Sequence, residues 1–360
     1  MKRILGPLLL IVLVVGVGIA IFLSVREQAD SRRVITVRGL IGSEKIEFFQ
    51  DPDVIKALRK GGLEVEVEKA GSRQIATSFD LEQYDFVFPA GVPAAEKIRR
   101  EQGVSQSYDV FFTPMAIASW KPIADLLQAN GLVKDQGGYY TLDMARFIET
   151  FAAAKRWSDL PDNDAYGVNK RILISSTDVR TSNSAAMYLS LASFVANNNS
   201  VVQTDGEVNQ LLPLMTNLFL EQGFVENSSA VPFTDYQIMG MGKAPLVMIY
   251  EAQFIAMAAA PDGGMQPEMV LIYPEPTLFT KHLLIPLGEG GEQLGQLLQE
   301  DPDLQRLAIE YGFRNQDVAY FREFTKDKQL SLPNNLVNVI EPPSYEVLEG
   351  MIQSIERAYQ

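Results

Sequence analysis

The sequence predicts an α/β fold with two lobes, built on mixed, mainly parallel sheets and preceded by an N-terminal transmembrane helix. Three observations lead to this prediction. Short runs of β-branched and aromatic residues alternate with stretches of helical period, which is typical of βαβ units. The 360 residues are enough for two hydrophobic cores. An uncharged apolar run from Ile4 to Val25 stands near the N-terminus.

The apolar run is the clearest physical signal in the sequence. As a helix it would extend roughly 33 Å, which is enough to cross a bilayer. No A-x-A cleavage site follows it, and this favours an uncleaved anchor over a cleaved signal peptide. We therefore expect residues 1–25 to be the anchor and residues 26–33 a charged linker. Basic residues on both sides are nearly balanced and do not orient the helix.

The rest of the chain alternates predicted strands and helices. Strands are predicted at 34–38, 63–67, 84–88, 109–112, 171–174, 245–250, 270–273 and 282–286, and helices at 44–60, 142–157, 185–196, 293–311 and 345–357. Thr113-Pro114 is expected to stop the fourth strand, and the strand at 282–286 is expected to return to the first lobe. The predicted division is 34–140 with 276–360 for lobe 1, and 141–275 for lobe 2.

Composition excludes several classes of function. The chain has no cysteine, which rules out disulfides, thiolate metal sites and cysteine nucleophiles. The single histidine, His282, lies in a predicted strand and is expected to be structural. A net charge of −14 argues against a nucleic-acid partner. No phosphate-binding loop, zinc-protease motif or serine-nucleophile motif is present, so no catalytic residue, metal or cofactor is predicted. A hydrolase using a pair of carboxylates stays open as an alternative.

The most specific signal is a polar tract, Ser176 to Ser184, placed between a predicted strand and a buried helix. Free backbone N–H groups at a helix start, together with hydroxyl side chains, bind polar or anionic groups. One N-cap residue would suffice for the helix alone. Six hydroxyl or amide side chains in nine residues predict ligand contact. The candidates are Ser176, Thr177, Asp178, Thr181, Ser182 and Asn183.

Other strand ends supply further candidates, because ligands bind at the carboxyl ends of strands in open α/β sheets. Ser43 follows the first strand and Thr113 the fourth. Tyr250, with Glu251, and Tyr273 end two buried strands of the second lobe, where a hydroxyl or carboxylate would face the cleft. The alternative is that these tyrosines pack at the sheet rim and that the glutamate is solvated.

The order of elements resembles the type 2 periplasmic solute-binding family of ABC importers, near its molybdate-, sulfate- and ferric-ion-binding members. The polar tract is similar to the D-P-x-x-S-x-x-G helix start of that family. The segments 240–246 and 308–314 are also in its style, and the resemblance covers residues 34–325. Val179 stands where proline is common and Ala185 where glycine is common, which puts the ligand class in doubt. Tyr139-Tyr140 is expected to be structural rather than part of a ferric-ion site.

The resemblance implies a receptor and not an enzyme. Its globular part would lie outside the cytoplasm, held at the cell membrane by the N-terminal helix. Two lobes would close on a small polar or anionic solute and present it to an ABC permease. A membrane-anchored sensor or assembly protein with the same fold is the alternative from another functional class.

Overall fold

The computed structural model describes residues 34–223, 230–260, 264–333 and 335–359. Within these ranges no helix combines the length and the apolar character needed to cross a bilayer. The predicted anchor at 1–25 and the linker at 26–33 lie outside the described residues.

Ten strands form a mixed sheet. They are β1 (Ile35–Ile41), β2 (Leu63–Lys69), β3 (Phe86–Phe88), β4 (Tyr108–Trp120), β5 (Val133–Asp135), β6 (Tyr140–Asp143), β7 (Leu246–Tyr250), β8 (Met269–Glu275), β9 (Thr277–Pro286) and β10 (Val339–Ile340). Their order is β2-β1-β3-β9-β4-β8-β6-β5, with β7 also paired to β4 and β10 to β9. Strands β1, β2 and β3 are parallel, whereas β9 runs antiparallel to β3 and β4.

Helices cover both faces of the sheet. They are α1 (Ile46–Gln50), α2 (Pro52–Lys60), α3 (Ser72–Thr77), α4 (Val92–Gln102), α5 (Lys121–Ala129), α6 (Met144–Ala152), α7 (Asn183–Ala196), α8 (Asp205–Leu220), α9 (Ala230–Met239), α10 (Glu251–Ala259), α11 (Glu289–Glu300), α12 (Pro302–Glu310), α13 (Val318–Asp327) and α14 (Tyr345–Arg357). Helix α7 is buried on nearly every face, as its sequence predicts.

Strand β4 joins two regions of the molecule. Its residues 108–114 pair with β9, and its residues 115–120 pair with β7 and β8. The prediction that this strand ends at Thr113-Pro114 is wrong. Proline has no N–H to donate, but Pro114 is the last residue opposite β9, and Met115 is the first opposite β7. The proline therefore falls where the strand changes partners.

The two regions have separate cores. In the first region, Phe48 of α1, Phe86 of β3 and Phe111 of β4 belong to one core together with apolar residues of β1 and α11. In the second region, α7 and β7 are the centre of a larger core that also takes in β5 and the apolar face of α14. The lobe limits predicted from the sequence stay a prediction, and this packing favours grouping α14 and β5 with the second region.

Four more predicted elements differ from the structure. The helix expected at 142–157 covers only Met144–Ala152 and follows β6. The helix expected at 293–311 is divided at Asp301, whose carboxylate accepts from the N–H groups of Asp303 and Leu304.

The helix expected at 44–60 is divided, because the Asp51 carboxylate accepts hydrogen bonds from the N–H groups of Asp53 and Val54 and starts a new helix at Pro52. The strand expected at 171–174 is an extended segment with isolated bridges at its ends. At Ser175 it meets β7, where its N–H donates to the Leu246 carbonyl at 2.9 Å.

Candidate functional site

A cavity of about 260 Å³ lies between the two regions. Its walls come from the end of β1, the start of α3, the start of α7 and the end of β7. The lining residues are Gly42, Ser43, Glu44, Lys69, Ala70, Gly71, Ser72, Gln74, Ser182, Asn183 and Tyr250. Strands β1, β2 and β7 all point their carboxyl ends at this cavity, which is where open α/β sheets bind ligands.

The start of α7 supplies the most distinctive wall. Ser182 is the N-cap residue, but no side-chain hydrogen bond caps the helix. Its hydroxyl lies 2.9 Å from the Ser184 hydroxyl instead. The first N–H groups of a helix have no intrahelical partner, and the helix dipole favours negative charge beside them. This wall can therefore receive a polar or anionic group.

Tyr250 connects the start of α7 to the sheet. It ends β7, is 1% exposed, and its hydroxyl accepts a hydrogen bond from Asn183 Nδ2 at 3.0 Å. Burial raises the pKa of Tyr250 well above its ordinary value, and the nearby Glu44 carboxylate raises that pKa further. The hydroxyl therefore keeps its proton and can donate to a solute while it accepts from Asn183.

The two regions approach each other closely beside the cavity. Gly91 has φ +89°, and a Cβ there would lie 2.4 Å from Asn183 Oδ1. A Cβ on Gly71 would lie 2.2 Å from the Thr181 carbonyl oxygen. Arg73 adds a polar contact, since its Nη1 donates to the Arg180 carbonyl at 2.6 Å. Glycine is thus required at two points where the first region meets the polar tract.

A buried charged cluster stands at one wall of the cavity. Lys45 and His282 are fully buried, and the Glu44 side chain is 6% exposed. Lys45 Nζ donates to Glu44 Oε1 and lies 3.0 Å from His282 Nδ1. His282 Nδ1 is 3.4 Å from the same Glu44 oxygen.

Electrostatics fix the charge of this cluster. Burial by itself would raise the pKa of Glu44, but the Lys45 ammonium and the His282 ring outweigh it, so that pKa is well below its usual range. Burial lowers the pKa of His282 to about 4, and the Lys45 charge adds to this effect. The cluster therefore presents an ionised carboxylate to the cavity, with a neutral imidazole behind it at neutral pH.

The structure brings four of the predicted site residues together at the cavity: Ser43, Ser182, Asn183 and Tyr250. Four others belong to the polar tract but do not line the cavity. Thr177 Oγ1 lies 2.9 Å from the Ser184 hydroxyl, and Asp178 forms an ion pair with Arg180. The Ser176 N–H donates to Gln222 Oε1 at 2.8 Å. The Thr181 N–H donates to the Asp178 carbonyl at 3.2 Å. These contacts give the tract its shape.

The remaining three predicted site residues line no part of this cavity. Thr113 Oγ1 accepts from the Ala252 N–H at 3.1 Å and so helps to start α10. Glu251 is fully buried and accepts from Arg314 Nε at 2.6 Å and Nη2 at 2.7 Å. Tyr273 donates to the same carboxylate. Thr113, Glu251 and Tyr273 thus contact protein groups away from this cavity, and their role in binding stays a prediction.

Several lining residues were not predicted. Glu44 follows Ser43 directly, and its position on the turn after β1 could have predicted that it lines the cavity. Lys69 is the last residue of β2, and the same strand-end position could have predicted it. Ser72 and Gln74 lie in a helix that the sequence analysis did not identify. Within the described parts of the chain, no group of three or more His, Asp or Glu side chains could hold a metal ion.

Comparison with known proteins places the fold. No protein-family model matches the sequence, and no curated protein matches it either. Solved structures do share the fold. A periplasmic thiamin-binding protein superposes with a TM-score of 0.55 at 12% identity, covering 90% of this chain and 96% of its own. AfuA of Actinobacillus pleuropneumoniae, a periplasmic binding protein with bound fructose-6-phosphate, gives 0.53 at 11%, covering 89% and 97%.

The sulfate-binding protein SubI of Mycobacterium tuberculosis superposes with a TM-score of 0.50 at 14% identity, covering 90% of this chain and 98% of its own. The chain therefore has the fold of periplasmic solute-binding proteins along nearly its whole described length. The fold implied by the resemblance in sequence is confirmed.

Proposed function

We propose that the chain is an extracytoplasmic solute-binding receptor that closes on a small polar or anionic solute and presents it to an ABC permease. One observation carries the proposal: a cavity between two separately packed regions, lined by strand ends and by the uncapped start of α7. Fold relatives are binding proteins for solutes as different as sulfate and thiamin. The fold thus supports binding without naming the solute.

The geometry favours binding over catalysis. Hydroxyl, amide and backbone groups dominate the lining, and such groups fix a polar solute by hydrogen bonds that desolvation strengthens. Among the described lining residues, Glu44 is the one that carries a carboxylate, and Lys45 contacts it. A hydrolase using two carboxylates would need a second one facing the same space. We propose that the two regions move as lobes about β4 and β9, the strands that connect them.

Thermal unfolding of the full-length chain with added solutes tests the receptor proposal. The panel contains oxyanions, sugars, sugar phosphates, amino acids and thiamin. A solute at 100 times its dissociation constant stabilises the folded state by about 2.7 kcal/mol, and Asn183→Ala should reduce that gain. A panel in which no compound raises the unfolding temperature above the no-solute control would contradict the proposal.

We also propose that residues 1–25 anchor the receptor in the cell membrane, with the globular part outside the cytoplasm. The apolar run from Ile4 to Val25 supports this. It also favours the second candidate function, an anchored sensor, because a tethered receptor cannot diffuse to distant permeases. The intact mass of protein extracted from membranes should include residues 1–25. A mature form that begins between Glu27 and Arg33 would overturn the anchor.

A further inference from the structure

Glu44 is shared by two cavities. The first is the site cavity of about 260 Å³. The second, of about 330 Å³, lies between the Ser43–Glu47 turn and helices α9 and α10. Ser43 and Glu44 line both, so the two spaces adjoin at this turn. Glu44 can therefore contact a solute from either space.

The two cavities differ in charge. The first contains Lys69 beside the hydroxyl and amide groups already described. The second contains the carboxylates of Glu44 and Glu47, and its described lining residues include neither lysine nor arginine. The rest of its wall is mixed: part is apolar, as at Ala252 and Ala256, and part is polar, as at Gln237 and Tyr311. Two carboxylates in a partly apolar wall suit a cationic group carried on a short alkyl segment.

The Glu44 carboxylate is fixed in position. The contacts from Lys45 and His282 both go to Oε1. Gly42 lies against the carboxylate, since a Cβ there would come 2.3 Å from Oε1 and 2.6 Å from Oε2. Among the described residues, the side chains that contact the carboxylate do so at Oε1, so Oε2 is the oxygen that can accept from a solute. A carboxylate held in this way pairs best with a charged donor, because charge-assisted hydrogen bonds are the stronger ones.

We propose that the solute is a zwitterion whose ammonium group is bound by Glu44 at the junction of the two cavities, while its anionic end sits at the start of α7. This inference rests on the proposed receptor function and names its solute class. The ammonium group interacts with Glu44 directly and with Glu47 at longer range. The anionic end accepts from the first N–H groups of α7 and from the Tyr250 hydroxyl.

Calorimetric titration of the full-length chain with matched probes tests this inference. Unbranched ω-amino carboxylates of four to six carbons are compared with ω-hydroxy, unsubstituted and dicarboxylate compounds of the same length. The best amino compound should bind about tenfold tighter or more than its hydroxy counterpart, since one charge-assisted hydrogen bond is at stake. Glu44→Gln should remove most of that advantage, and Glu47→Gln a smaller part of it.

Two further variants keep the test informative if Glu44→Gln fails to fold. Ala256→Phe narrows the second cavity and leaves every residue of the charged cluster unchanged, and it should weaken six-carbon probes more than four-carbon ones. Glu66→Gln, on the exposed face of β2, should change nothing. Equal affinity for amino and hydroxy probes, or binding of an oxyanion or sugar but of no amino compound, would overturn the inference and leave the receptor function standing. Absence of binding by every solute in both panels would overturn the receptor function itself.

Discussion

Two buried carboxylates show how a structural group differs from a group that a solute can reach. Glu251 is fully buried, and Arg314 engages both of its oxygens while Tyr273 donates to one of them. The Glu44 side chain is nearly as buried, but the contacts it receives from described residues go to Oε1, and it lines two cavities. Burial and a basic partner are common to both. What separates them is whether the protein uses all of the acceptor capacity of the carboxylate.

The basic partners of the two carboxylates, Arg314 for Glu251 and Lys45 for Glu44, also differ in how completely they engage the carboxylate. Burial by itself would lower the pKa of Arg314, but the Glu251 charge outweighs it and raises that pKa. The planar guanidinium binds the carboxylate with two parallel hydrogen bonds. Burial lowers the pKa of Lys45, and Glu44 offsets this only in part. The Glu251 pair is thus a closed structural unit, whereas the Glu44 cluster keeps one oxygen for a solute.

The largest effect expected from this comparison is on stability. Arg314→Met leaves the Glu251 carboxylate buried with an uncompensated charge, and this should lower the free energy of unfolding by about 3–5 kcal/mol. Denaturant unfolding measures it. Arg59→Ala, which breaks an exposed ion pair with Glu64, is the matched control and should cost at most about 1 kcal/mol. Equal losses in the two variants would refute the structural role of Arg314.

A pH dependence should reveal the Glu44 cluster. The folded pKa of His282 is about 4, below its unfolded value of 6.5. Below pH 6.5 the unfolded chain therefore binds a proton that the folded chain does not, so His282 destabilises the folded state as pH falls. From pH 7 to pH 5 the loss is about 2 kcal/mol. Unfolding at both pH values, in the native chain and in His282→Gln, measures it. An unchanged pH slope in the variant would contradict the neutral, buried histidine.

The smallest effect concerns the contact between the two regions. Gly91 and Gly103 both have positive φ, at +89° and +65°. Alanine is strained at either position, but at Gly91 it would also collide with Asn183, whereas nothing lies within 4 Å of the Gly103 position. Gly91→Ala should therefore cost about 1 kcal/mol more than Gly103→Ala and should weaken solute binding. If the two variants lose equal stability and bind solute equally, the close approach of Gly91 to Asn183 does not contribute to solute binding.

Local signals predicted most of the fold. Strands β1, β2, β7 and β8 and the last helix were found because β-branched runs and helical period report local structure directly. Errors arose where distant partners decide the outcome. Pro114 reads as a strand stop, yet β4 continues because it changes partner there. The segment at 171–174 has strand composition, yet it meets β7 at a single bridge.

The site was predicted only in part. Ser43, Ser182, Asn183 and Tyr250 follow from the rule that strand ends and helix starts face the ligand. Sequence could not distinguish Glu251 from Glu44, because the distinction depends on Arg314 and His282, which are 63 and 238 residues away from them along the chain. Pairings over such distances are set by the tertiary fold.

The proposed receptor function depends most on the start of α7, and calorimetry on variants of its first residues tests that function most directly. Asn183→Ala and Ser182→Ala should each weaken solute binding in calorimetry about ten- to a hundredfold, or about 1.5–3 kcal/mol. Each removes a hydrogen bond inside the protein, to Tyr250 or to Ser184, and should lower the free energy of unfolding without solute by about 1 kcal/mol. Ser190→Ala, which removes a buried hydroxyl from the same helix, should affect stability alone. Lower stability with unchanged affinity in the first two variants would contradict the account and leave the tract as a helix start.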